Sequence, residues 1–370
     1  MLLQNLRYLS PDGSIISAPL CVENGRLVSP QSTQENAMDC GGLLALPGFL
    51  DIHTHGGDGI DVCDCSPAEL QKLTVYYARH GVTAFCPTTM TLPAETLQQI
   101  FKTVQQIRGE ETGARILGVN LEGPFVSPEK CGAQNPAFLR LPDVDEICRL
   151  HAISPVALID LAPELPGALD FARAVSKDMV CSVAHTNATF AEVQAAFQNG
   201  FSHVTHFFNA MTPLHHRAPG AVGAVLFDDR VSAELICDGF HLAPDTVRLA
   251  FKLLGGARAV VVSDSLSCAG CPDGRYQLSG QTVRLQNSRA TLENGTIAGS
   301  TTNVFDEFRN LLSFGIDLPT AAAACSANPA KAIGVYDRFG SIEEGKWADL
   351  LFVDAEMRLQ HVMIHGELLF

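Results

Sequence analysis

"LLALPGFLDIHTHGG", residues 43–57, decides the fold. An apolar run of strand type meets a glycine pair, and His53 and His55 stand two apart at the junction. Residues two apart on a strand share a face, so both imidazoles emerge side by side. Imidazoles paired at the mouth of a buried strand are what a divalent metal takes as ligands.

Seven further runs share the character of residues 43–53. They are "VTAFCPTT" (82–89), "ILGVNLEG" (116–123), "VALIDLAPE" (156–164), "MVCSVAHT" (179–186), "HVTHF" (203–207), "VSAELICDG" (231–239) and "AVVVSDS" (259–265). All read as buried on both faces, which suits parallel strands. Helix signals lie between them. Ser66 with Pro67 and Glu69, and Thr189 with Glu192, are capping boxes, and Pro244 opens another helix. Eight strand–helix units predict an α/β fold, a (β/α)8 TIM-like barrel over 47–339 that forms the catalytic domain. Residues 1–46 and 340–370 have short β-like runs and are expected to meet in one small β-sandwich-like domain. The stretch 274–299 reads as hairpins, with Asn294-Gly295 as a turn.

In such a barrel the functional groups gather at the C-terminal ends of the strands. Those ends supply His53, His55, Glu122, His185, His206, Asp238, His241 and Asp264. Four histidines with Glu122 and Asp264 form a ligand set for Zn or Fe. The fourth strand ends in "APE" and offers no lysine, which leaves Glu122 as the carboxylate of the set. Gly56, Gly57 and Gly59 lack the spacing of a phosphate cradle, and Asp58 and Asp61 would repel phosphate.

Composition narrows the partners. The chain has 370 residues, 46% hydrophobic and 18% charged, with a net charge of −15. That charge argues against nucleic acid and acidic membrane, which need basic surface. No run reaches the ~18 apolar residues of a membrane span, and the start carries no charged segment leading into an apolar stretch. The twelve cysteines are scattered, many within apolar runs, and read as reduced thiols of a cytoplasmic protein.

"PGFLDIHTHG" resembles the first-strand motif of the amidohydrolase superfamily. "NLEGPF" (120–125), "SVAHTNATF" (182–190), "THFFNAMTPLHHRAPGAVGA" (205–224), "DGFH" (238–241), "VSDS" (262–265) and "GKWADLLFVD" (345–354) resemble, in order, the N-acetylglucosamine-6-phosphate deacetylase family. The resemblance implies that Glu122, His185 and His206 hold the principal divalent ion. His53, His55 and Asp264 could hold a second with Glu122 shared, so the chain carries one or two ions, Zn or Fe. It makes Asp264 the general base and then the general acid. It assigns the phosphorylated amino sugar to Gln134, Asn209, Ala210, Arg217 and His241, with Arg217 reaching from a neighbouring subunit of a homodimer. Gln134 stands where many relatives carry a histidine that contacts the acetyl carbonyl. The implied reaction is hydrolysis of N-acetyl-D-glucosamine 6-phosphate to D-glucosamine 6-phosphate and acetate, in amino-sugar catabolism. The alternatives are the N-acetylgalactosamine 6-phosphate epimer, a broader N-acyl amino-acid deacylase, and a non-catalytic phosphosugar-binding regulator.

Overall fold

Alternating apolar strands and one-sided helices close into a barrel. The computed structural model describes residues 1–29, 36–278 and 280–370. Its barrel strands are β1 Phe49–Thr54, β2 Val82–Thr89, β3 Val119–Glu122, β4 Val156–Leu161, β5 Val180–Val183, β6 Phe201–Val204, β7 Ser232–Leu235 and β8 Ala259–Val261. Each pairs in parallel with the next. Beyond the end of β8 the ring joins to β1 through two backbone bonds, Asp264 N to His53 O and Ser265 O from His55 N, both 2.9 Å. That closure brings the first and last predicted ligand segments into contact.

The helices cover the barrel with one face each. Pro67–Arg79 buries Leu70, Leu73, Thr74, Tyr77 and Ala78, the spacing of one helical stripe. Both capping boxes are formed, Ser66 with Glu69 and Thr189 with Glu192. They satisfy N–H groups that a helix start leaves unpaired. Val304–Ser313 packs on the foot of β1, where the Phe308 and Phe49 rings lie 5.1 Å apart.

The run 43–53 divides, which corrects its reading as one strand. Leu44–Pro47 leaves the barrel and pairs antiparallel with Leu350–Val353. Gly48 marks the division, because a Cβ there would meet Thr83 Oγ1 at 2.2 Å. Leu44–Pro47 belongs to a six-stranded sheet that also contains Arg7–Leu9 and Leu359–Ile364. A four-stranded sheet holds Leu2–Gln4, Leu20–Glu23, Arg26–Val28 and Ala37–Asp39. Leu3, Leu27, Ala45 and Phe352 form the shared core of these sheets, so both ends of the chain build them. Residues 30–35 lie outside the described residues.

After β8, Gly274–Leu278, Gln281–Gln286 and Arg289–Leu292 form a three-stranded antiparallel sheet. Ser279 lies outside the described residues. All twelve cysteines are free thiols. No helix among the described residues is long and apolar enough to cross a membrane.

Candidate metal centre

Six of the predicted residues meet at the C-terminal mouth of the barrel. Glu122 ends β3 and lies at the centre. Its Oε1 is 2.9 Å from His185 Nε2, 3.2 Å from His206 Nε2 and 3.7 Å from His53 Nε2. Its Oε2 is 3.4 Å from His55 Nε2. Asp264 Oδ1 closes the far side, 3.2 Å from His55 Nε2 and 3.7 Å from His53 Nε2. All six are buried. The ligand atoms fall into overlapping groups that could hold a metal ion, including Glu122 with His185 and His206, and His53 with His55 and Asp264.

Backbone conformation aims three of these side chains. His185, His206 and Asp264 follow β5, β6 and β8 with φ of 41°, 30° and 47°. Residues other than glycine rarely adopt the left-handed region, at a cost of roughly 1–3 kcal/mol each, unless the surroundings impose it. Here His185 and His206 meet Glu122, and Asp264 meets His53 and His55.

Whether the donor set suits a cation is decided by where the imidazole protons lie. His185 Nδ1 donates to Lys130 O at 2.8 Å, and His55 Nδ1 to Thr88 O at 3.2 Å. His53 Nδ1 donates to Glu234 Oε2 at 3.0 Å. A neutral imidazole carries one proton, so all three present an Nε2 lone pair to the carboxylates. Lone pairs converge on lone pairs, and His53 Nε2 is buried with no hydrogen-bond partner. Burial alone would lower the pKa values of His53, His55 and His185, yet the neighbouring carboxylates raise all three. The centre therefore favours added positive charge, and a divalent ion answers the same demand.

Two supporting carboxylates escaped the sequence reading. Glu234 on β7 accepts from His53 Nδ1, from His203 Nε2 at 3.2 Å and from the His206 backbone N–H at 3.0 Å. Burial would raise its pKa, but His53 and His203 hold it well below the usual carboxylate range. Asp160 on β4 is register partner to Glu122, with Oδ2 4.0 Å from His53 Nδ1. Burial pushes Asp160 up to about 8. The available signal was a lone carboxylate inside each of the apolar runs "VALIDL" and "SAEL", where a charge is costly unless paired.

A cavity of about 440 Å³ opens onto Glu122 and Asp264. Gln134, Asn209, Ala210 and His241 all line it. Asp238 fixes His241, accepting from its backbone N–H and from Nδ1, each at 2.8 Å. Lys130 is the one lysine or arginine of the lining among the described residues. Met90, Leu266 and Leu278 make an apolar wall. Arg217 does not join them: it lies exposed on its loop and donates to His216 Nε2 at 2.7 Å.

The fold and the site together define a barrel hydrolase of the amidohydrolase type, with histidine and carboxylate groups placed for metal binding. Residues 44–369 match the Amidohydrolase family, and the chain belongs to that family. It is 35% identical to an N-acetylgalactosamine-6-phosphate deacetylase of Escherichia coli, over 98% of this chain and 97% of that one. It is also 35% identical to an N-acetylglucosamine-6-phosphate deacetylase of Bacillus subtilis, over 88% of this chain and 85% of the relative. Among solved structures, the Thermotoga maritima N-acetylglucosamine-6-phosphate deacetylase superposes with a TM-score of 0.92 at 32% identity, covering 100% of this chain and 99% of that one.

Proposed function

We propose that this chain hydrolyses the acetamide of N-acetylglucosamine 6-phosphate, releasing glucosamine 6-phosphate and acetate in amino-sugar catabolism. The observation that carries the reading is Asp264 beside the Glu122–His185–His206 cluster, on a cavity with an apolar wall and one lysine, Lys130, in its lining. Glu122, His185 and His206 would hold the principal ion, Zn²⁺ or Fe²⁺, and His53, His55 and Asp264 a second. A bound divalent ion supplies Lewis acidity, polarising the amide carbonyl and acidifying the attacking water.

The chain's own groups do the rest. Burial would raise the Asp264 pKa, but His55 and His53 lower it, so the carboxylate is ionised and able to accept a proton. It takes the proton of the attacking water and returns it to the departing amine nitrogen. Met90, Leu266 and Leu278 shield the acetyl group from bulk water, which strengthens the electrostatics of the reaction. His241 and Lys130, with the backbone at Asn209 and Ala210, recognise the sugar and its phosphate. Arg217 lies outside the cavity of its own chain, so we assign it to a partner's cavity in a homodimer. Twelve free thiols fit a reducing cytoplasm.

The second reading is the C4 epimer, favoured by the Escherichia coli relative named for N-acetylgalactosamine 6-phosphate. Acetate release from both epimers, with metal analysis of the same preparation, decides between them. Asp264→Asn is expected to lower turnover about 10²–10⁴-fold while the ion at Glu122 stays bound. Turnover within a few-fold of the parent would remove Asp264 from the mechanism.

A further inference from the structure

Gln134 occupies an unusual position for a residue on a substrate cavity, because both ends of its amide are already engaged. Its Oε1 accepts the backbone N–H of Thr91 at 2.7 Å. That bond settles which end is oxygen, so Nε2 must be the end that meets Glu122 Oε2, to which it donates. The same nitrogen lies 3.7 Å from Met90 Sδ. The side chain is 3% exposed. An amide nitrogen has two protons, and these two neighbours account for both.

The loop that carries Gln134 touches the centre at three points. Lys130 O accepts from His185 Nδ1 at 2.8 Å and so fixes that ring with Nε2 inward. Gly132 packs on the same ring, since a Cβ there would lie 3.3 Å from His185 Cε1. Gln134 then holds Glu122. Two members of the Glu122–His185–His206 cluster are thus oriented by one loop. The loop is itself tied down from the three-stranded sheet by Gln281 Nε2 donating to Ala133 O at 2.6 Å.

We propose that Gln134 is a positioning residue. It turns the Glu122 carboxylate so that Oε1 faces His185 and His206, and thereby sets how tightly the cluster keeps its ion. It does not serve as a contact to the acetyl carbonyl. The physical basis is general: partners that hydrogen-bond a ligating carboxylate hold its orientation, and losing one weakens metal binding about 10–100-fold. This inference rests on the reading of the cluster as a metal site.

The test is Zn²⁺ affinity of the whole chain, measured by competition with a chelator, for the parent, Gln134→Met and Gln134→Asn. Methionine keeps the length without a donor, and asparagine keeps the donor one methylene short of Glu122. Both are expected to bind Zn²⁺ about 10–100-fold more weakly, with KM for the phosphosugar in excess Zn²⁺ within about threefold of the parent. Zn²⁺ affinity unchanged in both variants overturns the proposal, as does a raised KM with affinity intact, the signature of a substrate contact. If Gln134→Met does not reach the native far-ultraviolet spectrum, Gln134→Asn carries the test. Glu122→Gln separates the two levels: if that variant binds Zn²⁺ as the parent does, the metal reading itself fails.

Discussion

Glu234 offers the deepest probe of the centre, because it lies outside the lining of the cavity and yet touches His53, His206 and His203. Its two oxygens accept from His53 Nδ1 at 3.0 Å, His206 N at 3.0 Å and His203 Nε2 at 3.2 Å. Glu234→Ala leaves three buried donors without an acceptor. At about 1–3 kcal/mol each, that amounts to roughly 3–9 kcal/mol before any cavity is counted. A domain with about 5–15 kcal/mol of stability can be unfolded by such a loss. Glu234→Gln is gentler. Its amide oxygen can keep the bonds to His53 and His206, while its nitrogen meets His203. The His203 ring can exchange tautomer there, because its other nitrogen faces the Ser232 hydroxyl at 2.6 Å, which both donates and accepts. What Gln removes is the negative charge behind His53. Loss of a carboxylate behind a ligating imidazole weakens metal binding about 10–100-fold, or about 1.4–2.7 kcal/mol. The assay is equilibrium dialysis against Zn²⁺ for stoichiometry and affinity, with thermal melting on the same samples. Glu234→Gln should melt near the parent and lose Zn²⁺ affinity, whereas Glu234→Ala should melt far lower. Parental Zn²⁺ affinity in Glu234→Gln, or equal melting losses in both variants, would refute the reasoning.

Other outcomes follow from single contacts. Arg217→Ala should raise KM for the phosphorylated sugar at least tenfold, about 1.4 kcal/mol, and leave KM for the unphosphorylated analogue unchanged; equal effects on both would mean that Arg217 does not read phosphate. Burial pushes the Asp349 carboxyl up to about 7, against the pull of Arg115, so the folded chain keeps a proton there that the unfolded chain releases near pH 4. Its contribution to stability therefore falls as pH rises from about 4 to about 7. Asp349→Asn should gain on the parent across that window by up to a few kcal/mol, read from melts at pH 5 and pH 8, and an offset independent of pH would contradict the assignment. Thr189→Ala removes the acceptor for the Glu192 N–H and should cost about 1 kcal/mol by urea unfolding. No measurable loss there would show that the cap adds nothing.

The barrel, its helix starts and the six clustered side chains were legible in the sequence because each rests on local chemistry. Capping boxes act over three residues. A strand buried on both faces shows as an apolar run whatever its partners are. A histidine at the end of such a run is visible as an exception to it. Tertiary structure alone decided the rest. Residues 43–53 divide at Gly48 because the first half finds its partner in Leu350–Val353, from the other end of the chain. Glu234 and Asp160 acquire their meaning from neighbouring strands, and no local pattern records which histidine a carboxylate will face. Arg217 belongs to the right motif but lies outside the cavity, since a loop's direction depends on packing. Gln134 appeared in the sequence as the loss of an imidazole; in three dimensions its amide bridges Thr91 and Glu122. Side-chain type and periodicity are properties of adjacent residues, whereas register, tautomer and hydrogen-bond partner exist only once distant strands are brought together.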